Sequence, residues 1–195
     1  RSQRQIPPLE ITLDKRVPFG AGLGGGSSDA SAVIVALNEE FSLGLSIKEM
    51  VDMAAALGSD TAFFIENKTQ LCTGRGEVMH PIAIDLQGLW LVVIKPPFGV
   101  STAEAYSGVR PAVPARSLTE RLSDDRSTWQ AQIVNGFEPH IFAAHPRLAE
   151  LKQTLLDAGA LYAAMSGSGS ALFGLFENKP NVLFDDDIFV HIQQL

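Results

Sequence analysis

The chain has 195 residues, of which 46% are hydrophobic and 19% are charged, an ordinary composition for a globular protein that excludes a disordered chain. No apolar run approaches the roughly 20 residues of a membrane helix, so we expect no membrane partner. The net charge of −7 disfavours nucleic acid as a partner, because an acidic surface repels a phosphate backbone.

The first part of the chain is predicted to contain a strand, a glycine-rich loop and two helices. Apolar and polar residues alternate over Ile11–Val17, which predicts a strand. The loop Pro18–Ser28 follows, and a stretch rich in Ala, Val, Ile and Leu, without a helix breaker, predicts a helix from Ala30 to about Leu37. Ser46-Ile-Lys-Glu49 is a capping box that begins a second helix, and Gly58 stands where that helix would end.

The middle of the chain is predicted to form a hairpin and a buried strand. Thr69–Val78 contains a turn between two strands, with the single cysteine, Cys72, in the first of them. One cysteine permits no intrachain disulfide, which favours a reducing, cytoplasmic location. Leu89–Ile94 predicts a buried strand that Pro96-Pro97 stops, and we place the domain boundary there, giving domains 1–95 and 96–195.

The remaining residues predict one long helix and four strands, after a loop with a short helix over Pro111–Ser127. Pro146 suits the first position of a helix whose buried face carries leucines and whose end is marked by Gly159. The predicted strands are Leu161–Met165, Ala171–Phe176, Val182–Phe184 and Ile188–Ile192, the last two as a terminal pair.

Five glycines among eleven residues make Pro18–Ser28 a candidate anion-binding loop. Glycine permits positive φ, so several amides can approach one anion, and the following helix directs its positive end to the same point. A Walker A loop would need Lys-Ser/Thr where Ser27-Ser28 stands. The dinucleotide pattern fits Gly20, Gly22 and Gly25, but the charged strand before it is unlike a buried parallel strand. A Rossmann oxidoreductase remains an alternative.

Four segments, in order along the chain, resemble the GHMP kinases, the superfamily of galactokinase and of homoserine, mevalonate and phosphomevalonate kinases. The first is the glycine loop, whose triple glycine before Ser-Ser resembles one branch of this family. That branch phosphorylates the 2-hydroxyl of 4-diphosphocytidyl-2-C-methyl-D-erythritol. The other segments are Gly58-Ser-Asp-Thr-Ala-Phe-Phe64, Thr73-Gly-Arg-Gly-Glu77 and Met165-Ser-Gly-Ser-Gly-Ser-Ala171.

The resemblance implies an α+β GHMP kinase fold, with an N-terminal domain of the ribosomal protein S5 domain 2 type and a ferredoxin-like C-terminal domain. It implies a cytoplasmic, ATP-dependent kinase of isoprenoid biosynthesis, monomeric or homodimeric, whose substrate lies between the domains. Mg²⁺ would be held by the ATP phosphates and water, without assigned protein ligands. ATP would contact the whole first loop: Pro18, Phe19, Gly20, Ala21, Gly22, Leu23, Gly24, Gly25, Gly26, Ser27 and Ser28.

Asp60 is the candidate general base. Phosphoryl transfer benefits from a carboxylate that accepts the proton of the attacking hydroxyl, and the resemblance gives this role to Asp60. From the residues alone, a helix N-cap would be the simpler interpretation.

The resemblance also implies five substrate-binding residues. Tyr106 would stack on the cytosine, and the glycine-rich turn would close near the phosphates of the substrate. From the residues alone, a half-buried surface tyrosine and an ordinary hairpin turn would be the simpler interpretations. The five residues are Tyr106, Ser166, Gly167, Ser168 and Gly169.

The sequence departs from the family pattern at several places. Ala62 stands where proline is frequent, and Gly136 stands where aspartate is common. The family begins with a strand carrying Lys-x-Asn, which would precede Arg1, so the catalytic lysine is assigned to no residue. We therefore expect little kinase activity from the 195 residues alone. The alternatives are another small-molecule kinase of this superfamily and a non-catalytic nucleotide-binding module.

Overall fold

The computed structural model describes residues 6–74 and 76–195, which divide into two compact units. The first unit comprises the residues up to Val17 together with Gly24–Ala83, and the second comprises Pro18–Leu23 together with Ile84–Leu195. The second unit thus begins before the strand that precedes Pro96, because that strand is hydrogen-bonded into its sheet. The family domains 1–95 and 96–195 stay a prediction.

The first unit contains three helices and one antiparallel hairpin. In chain order they are α1 (Gly25–Glu40), α2 (Ile47–Ala55), α3 (Phe63–Glu66), β1 (Gln70–Thr73) and β2 (Val78–Pro81). The helices pack on one another around a small apolar cluster, which is formed by Ile34, Met50, Ala54 and Ala62.

Local capping chemistry sets the start of α2 in this unit. At the start of α2, the Ser46 hydroxyl accepts from the Glu49 amide at 3.2 Å, and the Glu49 carboxylate accepts from the Ser46 amide at 2.8 Å. The predicted capping box is therefore confirmed. The helix itself ends at Ala55, and Gly58 lies beyond it with its amide donating to Ala54 O.

The strand predicted over Ile11–Val17 is wrong, because these residues have no regular secondary structure. Ile11 and Leu13 are each 61% exposed. A strand needs a neighbour to take up its amide and carbonyl groups, and within the described ranges no strand pairs with this segment. The alternating pattern indicates which side of a strand would be apolar, but it does not identify the neighbouring strand that the segment needs for pairing.

The second unit is a four-stranded antiparallel sheet with helices, and its strand order β4-β5-β3-β6 is that of a ferredoxin-like fold. Residues 177–188, before the last strand, form no helix, so the second crossover helix of that fold is replaced by a loop. The elements are β3 (Trp90–Lys95), α4 (Thr102–Ser107), α5 (Leu118–Leu122), α6 (Trp129–Gln132), α7 (Glu138–Ala144), α8 (Pro146–Asp157), β4 (Tyr162–Met165), β5 (Leu172–Phe176) and β6 (Phe189–Gln194).

Most of the predicted elements of this unit are confirmed, including the helix that begins at Pro146 and the two strands around the second glycine-rich turn. The prediction of a terminal strand pair is wrong in one half, because Val182–Phe184 is irregular. Instead, β6 pairs with β3, from Phe189 opposite Lys95 to Gln194 opposite Trp90. Its partner is thus a strand about a hundred residues away, which a local pattern cannot identify.

Both faces of this sheet are covered by apolar groups. The face toward α8 is closed by three buried leucines, Leu148, Leu151 and Leu155, which pack against β3 and β5. The opposite face carries Tyr162 of β4 and packs against Trp129 of α6. Across the parts of the chain that the structure describes, no helix has the length and apolarity needed to cross a membrane.

Candidate active site

The first glycine-rich loop, Pro18–Ser28, is shared between the two units: residues 18–23 belong to the second unit and residues 24–28 to the first. Gly20, Gly22 and Gly24 have φ of +62°, +72° and +64°, a region in which other residues are strained. The helix α1 begins at Gly25, five residues earlier than predicted, so the last four residues of the loop form its first turn.

In the first unit, the loop ends in a left-handed residue that opens α1. Gly24 is the N-cap, and the Ser28 amide donates to Gly24 O at 2.9 Å. A Cβ at Gly24 would lie 2.7 Å from Cζ of Phe64, so the backbone passes closely over that ring. A Cβ at Gly25 would lie 3.0 Å from Nζ of Lys15, which also pairs with Asp29. Lys15, to which no sequence motif gives a role, thus lies beside the first turn of α1.

Asp60 lies in the turn between α2 and α3, and its side chain is exposed. It forms no hydrogen bond or ion pair with any residue in the described ranges 6–74 and 76–195. The N-cap of α3 is Ala62, so the helix-capping interpretation of Asp60 is wrong. The turn is fixed from the side of α1, because the buried Ser31 hydroxyl donates to Thr61 O at 2.6 Å. The carboxylate is thus held by its backbone, and its oxygens bond none of the described residues.

The β1–β2 hairpin lies beside this carboxylate. A Cβ at Gly76, whose φ is +118°, would lie 3.0 Å from Oδ1 of Asp60. Partial burial and the charge of Asp60 raise the pKa of the Cys72 thiol on β1, which keeps this thiol protonated at neutral pH. Arg75, from the turn that resembles the family, lies outside the described residues.

In the second unit, the second glycine loop, Ser166–Ser170, contacts the first half of the first loop. The Ser166 hydroxyl donates to Gly22 O at 2.9 Å, and the Ala171 amide donates to Ala21 O at 3.0 Å. A Cβ at Gly22 would lie 2.0 Å from Ser166 O, a distance that no side chain could tolerate without displacing the backbone. The two glycine-rich segments predicted from the sequence therefore form one closely packed pair here.

One side chain holds the stem of the second glycine loop. Asn135 Nδ2 donates to Met165 O and to Gly167 O, both at 2.8 Å, so both hydrogens of the amide group are used. Asn135 Oδ1 accepts from the Phe137 amide at 2.9 Å. Both donor hydrogens of this side chain are thus directed at the loop, and its oxygen accepts from its own turn.

Glu138 is buried at the first residue of α7, with 7% exposure. Its Oε1 accepts from the Met165 amide at 2.8 Å, and its Oε2 accepts from Lys152 Nζ at 2.6 Å. Burial, with the charge of Glu138 as a smaller cause, raises the pKa of Tyr162 to about 12. Both oxygens of Glu138 are engaged by the protein, so this carboxylate supports the loop.

Tyr106, at the end of α4, is 64% exposed. The edge of one ring meets the face of the other between Tyr106 and Phe137, with centroids 4.9 Å apart and an interplanar angle of 72°. The exposed ring is thus supported from one side. Tyr106 lies in the second unit with Ser166, Gly167, Ser168 and Gly169, whereas Asp60 lies in the first.

The supporting residues of the site are not predictable from the sequence motifs. They share no period or motif, and the departure from the family pattern at Gly136 was the one sequence signal beside three of them. Among the described residues, no three His, Cys, Asp or Glu side chains are grouped so that they could hold a metal ion. The missed residues are Lys15, Asn135, Phe137, Glu138 and Lys152.

Comparison with sequence families gives two matches. Residues 1–68 match the family described as the GHMP kinases N terminal domain, and residues 112–183 match the GHMP kinases C terminal family. Together these matches extend over most of the chain.

Curated relatives agree with these matches. A 4-diphosphocytidyl-2-C-methyl-D-erythritol kinase from Parabacteroides distasonis is 44% identical over 97% of this chain and 69% of its own length. A protein of the same name from Bacteroides fragilis is 44% identical over 91% of this chain and 65% of its own length. The chain therefore spans about two thirds of the length of these relatives.

Solved structures show the same fold. A 4-(cytidine 5'-diphospho)-2C-methyl-D-erythritol kinase is similar with a TM-score of 0.68 and 33% identity, covering 85% of this chain and 60% of the other. A homoserine kinase from Cytophaga hutchinsonii has a TM-score of 0.66 over 93% of this chain and 68% of the other. Its identity is 17%, so it supports the fold alone.

Proposed function

Because this chain belongs to the GHMP kinase family, with relatives that are 4-diphosphocytidyl-2-C-methyl-D-erythritol kinases, we propose that it serves the same reaction. The reaction is the ATP-dependent phosphorylation of the 2-hydroxyl of 4-diphosphocytidyl-2-C-methyl-D-erythritol in isoprenoid biosynthesis. The substrates are small molecules.

The observation that carries this proposal is the glycine-rich loop that opens α1. Its three left-handed glycines turn the backbone so that amides can converge on an anion, and the positive end of the helix dipole adds to the attraction. We assign the phosphates of ATP to Pro18–Ser28 for this reason. Mg²⁺ enters as part of the ATP substrate, coordinated by phosphate oxygens and water.

We assign the general base to Asp60. The substrate hydroxyl attacks the γ-phosphorus of ATP, the bond to the ADP oxygen breaks, and the hydroxyl proton passes to the Asp60 carboxylate. An exposed carboxylate without a described partner suits this role, because its oxygens can accept a proton. The Ser31 bond to Thr61 O supports the assignment, since it fixes the turn that carries the base.

We assign the cytidyl diphosphate part of the substrate to the second unit. The exposed ring of Tyr106 can stack on the cytosine, and Ser166, Gly167, Ser168 and Gly169 form the segment for its phosphates. Within that segment the Ser166 hydroxyl already donates to Gly22 O. The remaining donors are therefore expected to come from the backbone and from Ser168.

An assay of ADP release, coupled to a second enzyme, tests this function. The protein expressed from the complete gene is supplied with ATP and, separately, with the cytidyl alcohol, homoserine or mevalonate. We expect ADP release when ATP is supplied with the cytidyl alcohol, and none with homoserine or mevalonate. Release with either other alcohol would favour another small-molecule kinase, and ATP binding without any release would favour a non-catalytic nucleotide-binding module.

A further inference from the structure

We propose that the segment Asn135–Glu138 is a positioning element, which holds the Tyr106 ring and the second glycine loop in one fixed arrangement. This inference rests on the proposed function, because it assumes that the ring and the loop touch the same cytidyl substrate. The segment itself need not touch that substrate.

The segment holds the second glycine loop through hydrogen bonds. Asn135 Nδ2 donates to Met165 O and Gly167 O, which lie on either side of Ser166, and Glu138 accepts from the Met165 amide. Three hydrogen bonds from one short segment thus fix the stem of the loop. Two of them need an amide NH₂ group, because a carboxylate of the same shape has no hydrogen to donate.

The segment also supports the aromatic ring. Phe137 lies between the two residues that hold the loop, and its ring packs against Tyr106 with centroids 4.9 Å apart. The Phe137 amide donates to Asn135 Oδ1 at 2.9 Å, so a single turn joins the residue that supports the ring to the one that holds the loop. A shift of the turn would displace both parts together.

The segment itself is anchored through Glu138. Glu138 pairs with Lys152 Nζ at 2.6 Å, and the two side chains are only 9% and 15% exposed. Lys152 lies on α8, whose leucines form part of the core of the second unit. Removal of either charge would leave the other buried and unpaired, and such a variant could unfold. The test therefore uses Asn135 and Phe137.

Two inhibitors separate the two parts of the site. Cytidine offers the base and its ribose without phosphates, and cytidine 5'-diphosphate (CDP) adds a diphosphate. Their inhibition constants, Ki, are measured against the cytidyl alcohol, using the protein expressed from the complete gene. Asn135→Asp keeps the acceptor for the Phe137 amide and loses both donor bonds. We expect it to raise Ki for CDP about tenfold and to leave Ki for cytidine within about twofold.

Phe137→Leu tests the support of the ring. It keeps much of the apolar volume and removes the aromatic edge against Tyr106. We expect Ki to rise by the same factor, about threefold, for cytidine and for CDP, because both carry the ring. A rise for CDP alone would overturn the assignment of Phe137.

Asn38→Asp is the matched control, because Asn38 Nδ2 donates to Leu45 O at 3.3 Å and its Oδ1 accepts from the Leu45 amide at 2.8 Å. It makes the same chemical change in the first unit and should leave both constants unchanged. Since Asp also adds a charge, Asn135→Ala is measured as well, and we expect it to raise the Ki for CDP at least tenfold. Weakening by Asp but not by Ala would reveal charge repulsion and overturn the proposal.

The failure of this proposal and that of the proposed function give different results. If neither inhibitor acts on the wild-type protein, the proposed function fails and this inference fails with it. If CDP inhibits the wild-type protein more strongly than cytidine, but Asn135→Asp leaves its Ki unchanged, the positioning role alone is overturned.

Discussion

Two carboxylates of this molecule occupy opposite environments. Asp60, in the first unit, is exposed and has no hydrogen-bonding partner within the described parts of the chain. Glu138, in the second unit, is 7% exposed and bonds Lys152 with one oxygen and the Met165 amide with the other. A proton acceptor must keep an oxygen available, whereas a support must use both. The environment of each carboxylate therefore indicates its role, although the residue types are nearly equivalent.

Asp60→Asn should break the first side of this comparison with the largest effect. Asn keeps the shape of the side chain and cannot accept the proton, so kcat should fall by roughly 10²–10⁴. The melting temperature should change little, because Asp60 bonds none of the described residues. Steady-state kinetics and a thermal melt measure both quantities. Turnover near the wild-type value would mean that positioning and electrostatics alone carry the transfer.

Gly22→Ala should disturb the loop pair that Glu138 and Asn135 support. A Cβ at Gly22 would lie 2.0 Å from Ser166 O, and the φ of +72° is strained for alanine. We expect the Kd for ATP to rise by about 10- to 100-fold. This rise corresponds to a loss of about 1.4–2.8 kcal/mol of binding free energy.

The matched control is Gly20→Ala, which has a similar φ of +62° but nothing within 4 Å of the added Cβ. It should therefore raise the Kd for ATP much less than Gly22→Ala does. Equal effects of the two variants in a calorimetric titration would mean that strain and not the close contact matters.

Tyr106→Ala should raise KM for the cytidyl alcohol about tenfold, the value of a modest base–aromatic stack. The KM for ATP should remain nearly constant, because this change leaves both glycine loops in place. Tyr106→Phe keeps the face of the ring and should have a small effect. If Tyr106→Phe and Tyr106→Ala raised the KM for the cytidyl alcohol equally, the hydroxyl would be the important group and stacking would be refuted.

Glu138→Gln should affect stability and spare kcat, whereas Asp60→Asn should affect kcat and spare stability. Glu138→Gln removes the charge that pairs with the buried Lys152, so the free energy of unfolding should fall by about 3–5 kcal/mol. With saturating substrates, kcat should stay within about threefold of wild type, since a support takes no proton. Denaturant unfolding and kcat are measured on the same preparation, and a large loss of kcat in a stable variant contradicts the role of Glu138 as a support.

The pKa of Tyr162 gives the smallest expected effect. Its value of about 12 in the folded protein lies above the usual 10, so the folded state holds the proton more tightly than the unfolded state. The unfolding free energy should therefore fall as pH rises above about 10. Tyr162→Phe lacks the ionisable hydroxyl. Between pH 9 and pH 11 its free energy of unfolding should therefore fall by about 1 kcal/mol less than that of the wild type. Identical losses in urea unfolding would contradict the raised pKa.

Much of the fold could be predicted from the sequence where short-range chemistry decides the structure. The capping box at Ser46 and Glu49, and the helix from Pro146 to Asp157, depend only on neighbours within a few turns. The strand predicted over Ile11–Val17 failed because pairing depends on a partner that no local pattern identifies. For the same reason, β6 could not be assigned to β3.

The motifs of the site could be predicted from the sequence, but the residues that hold those motifs in place could not. Gly20, Gly22 and Gly24 take positive φ while Gly25 enters the helix, and identical residues in a row carry no signal for that difference. The role of Glu138 depends on the Met165 amide, 27 residues along the chain. Such a contact follows from the packing of α7 beside β4 and is invisible in the sequence.

The most direct test of the central claim is the identity of the phosphorylated product. The protein expressed from the complete gene is incubated with ATP, Mg²⁺ and the cytidyl alcohol, and the mixture is followed by ³¹P NMR. The account predicts that ADP and one new phosphate monoester on the 2-hydroxyl of the alcohol appear in equal amounts. Formation of ADP with inorganic phosphate, and no monoester, would contradict it.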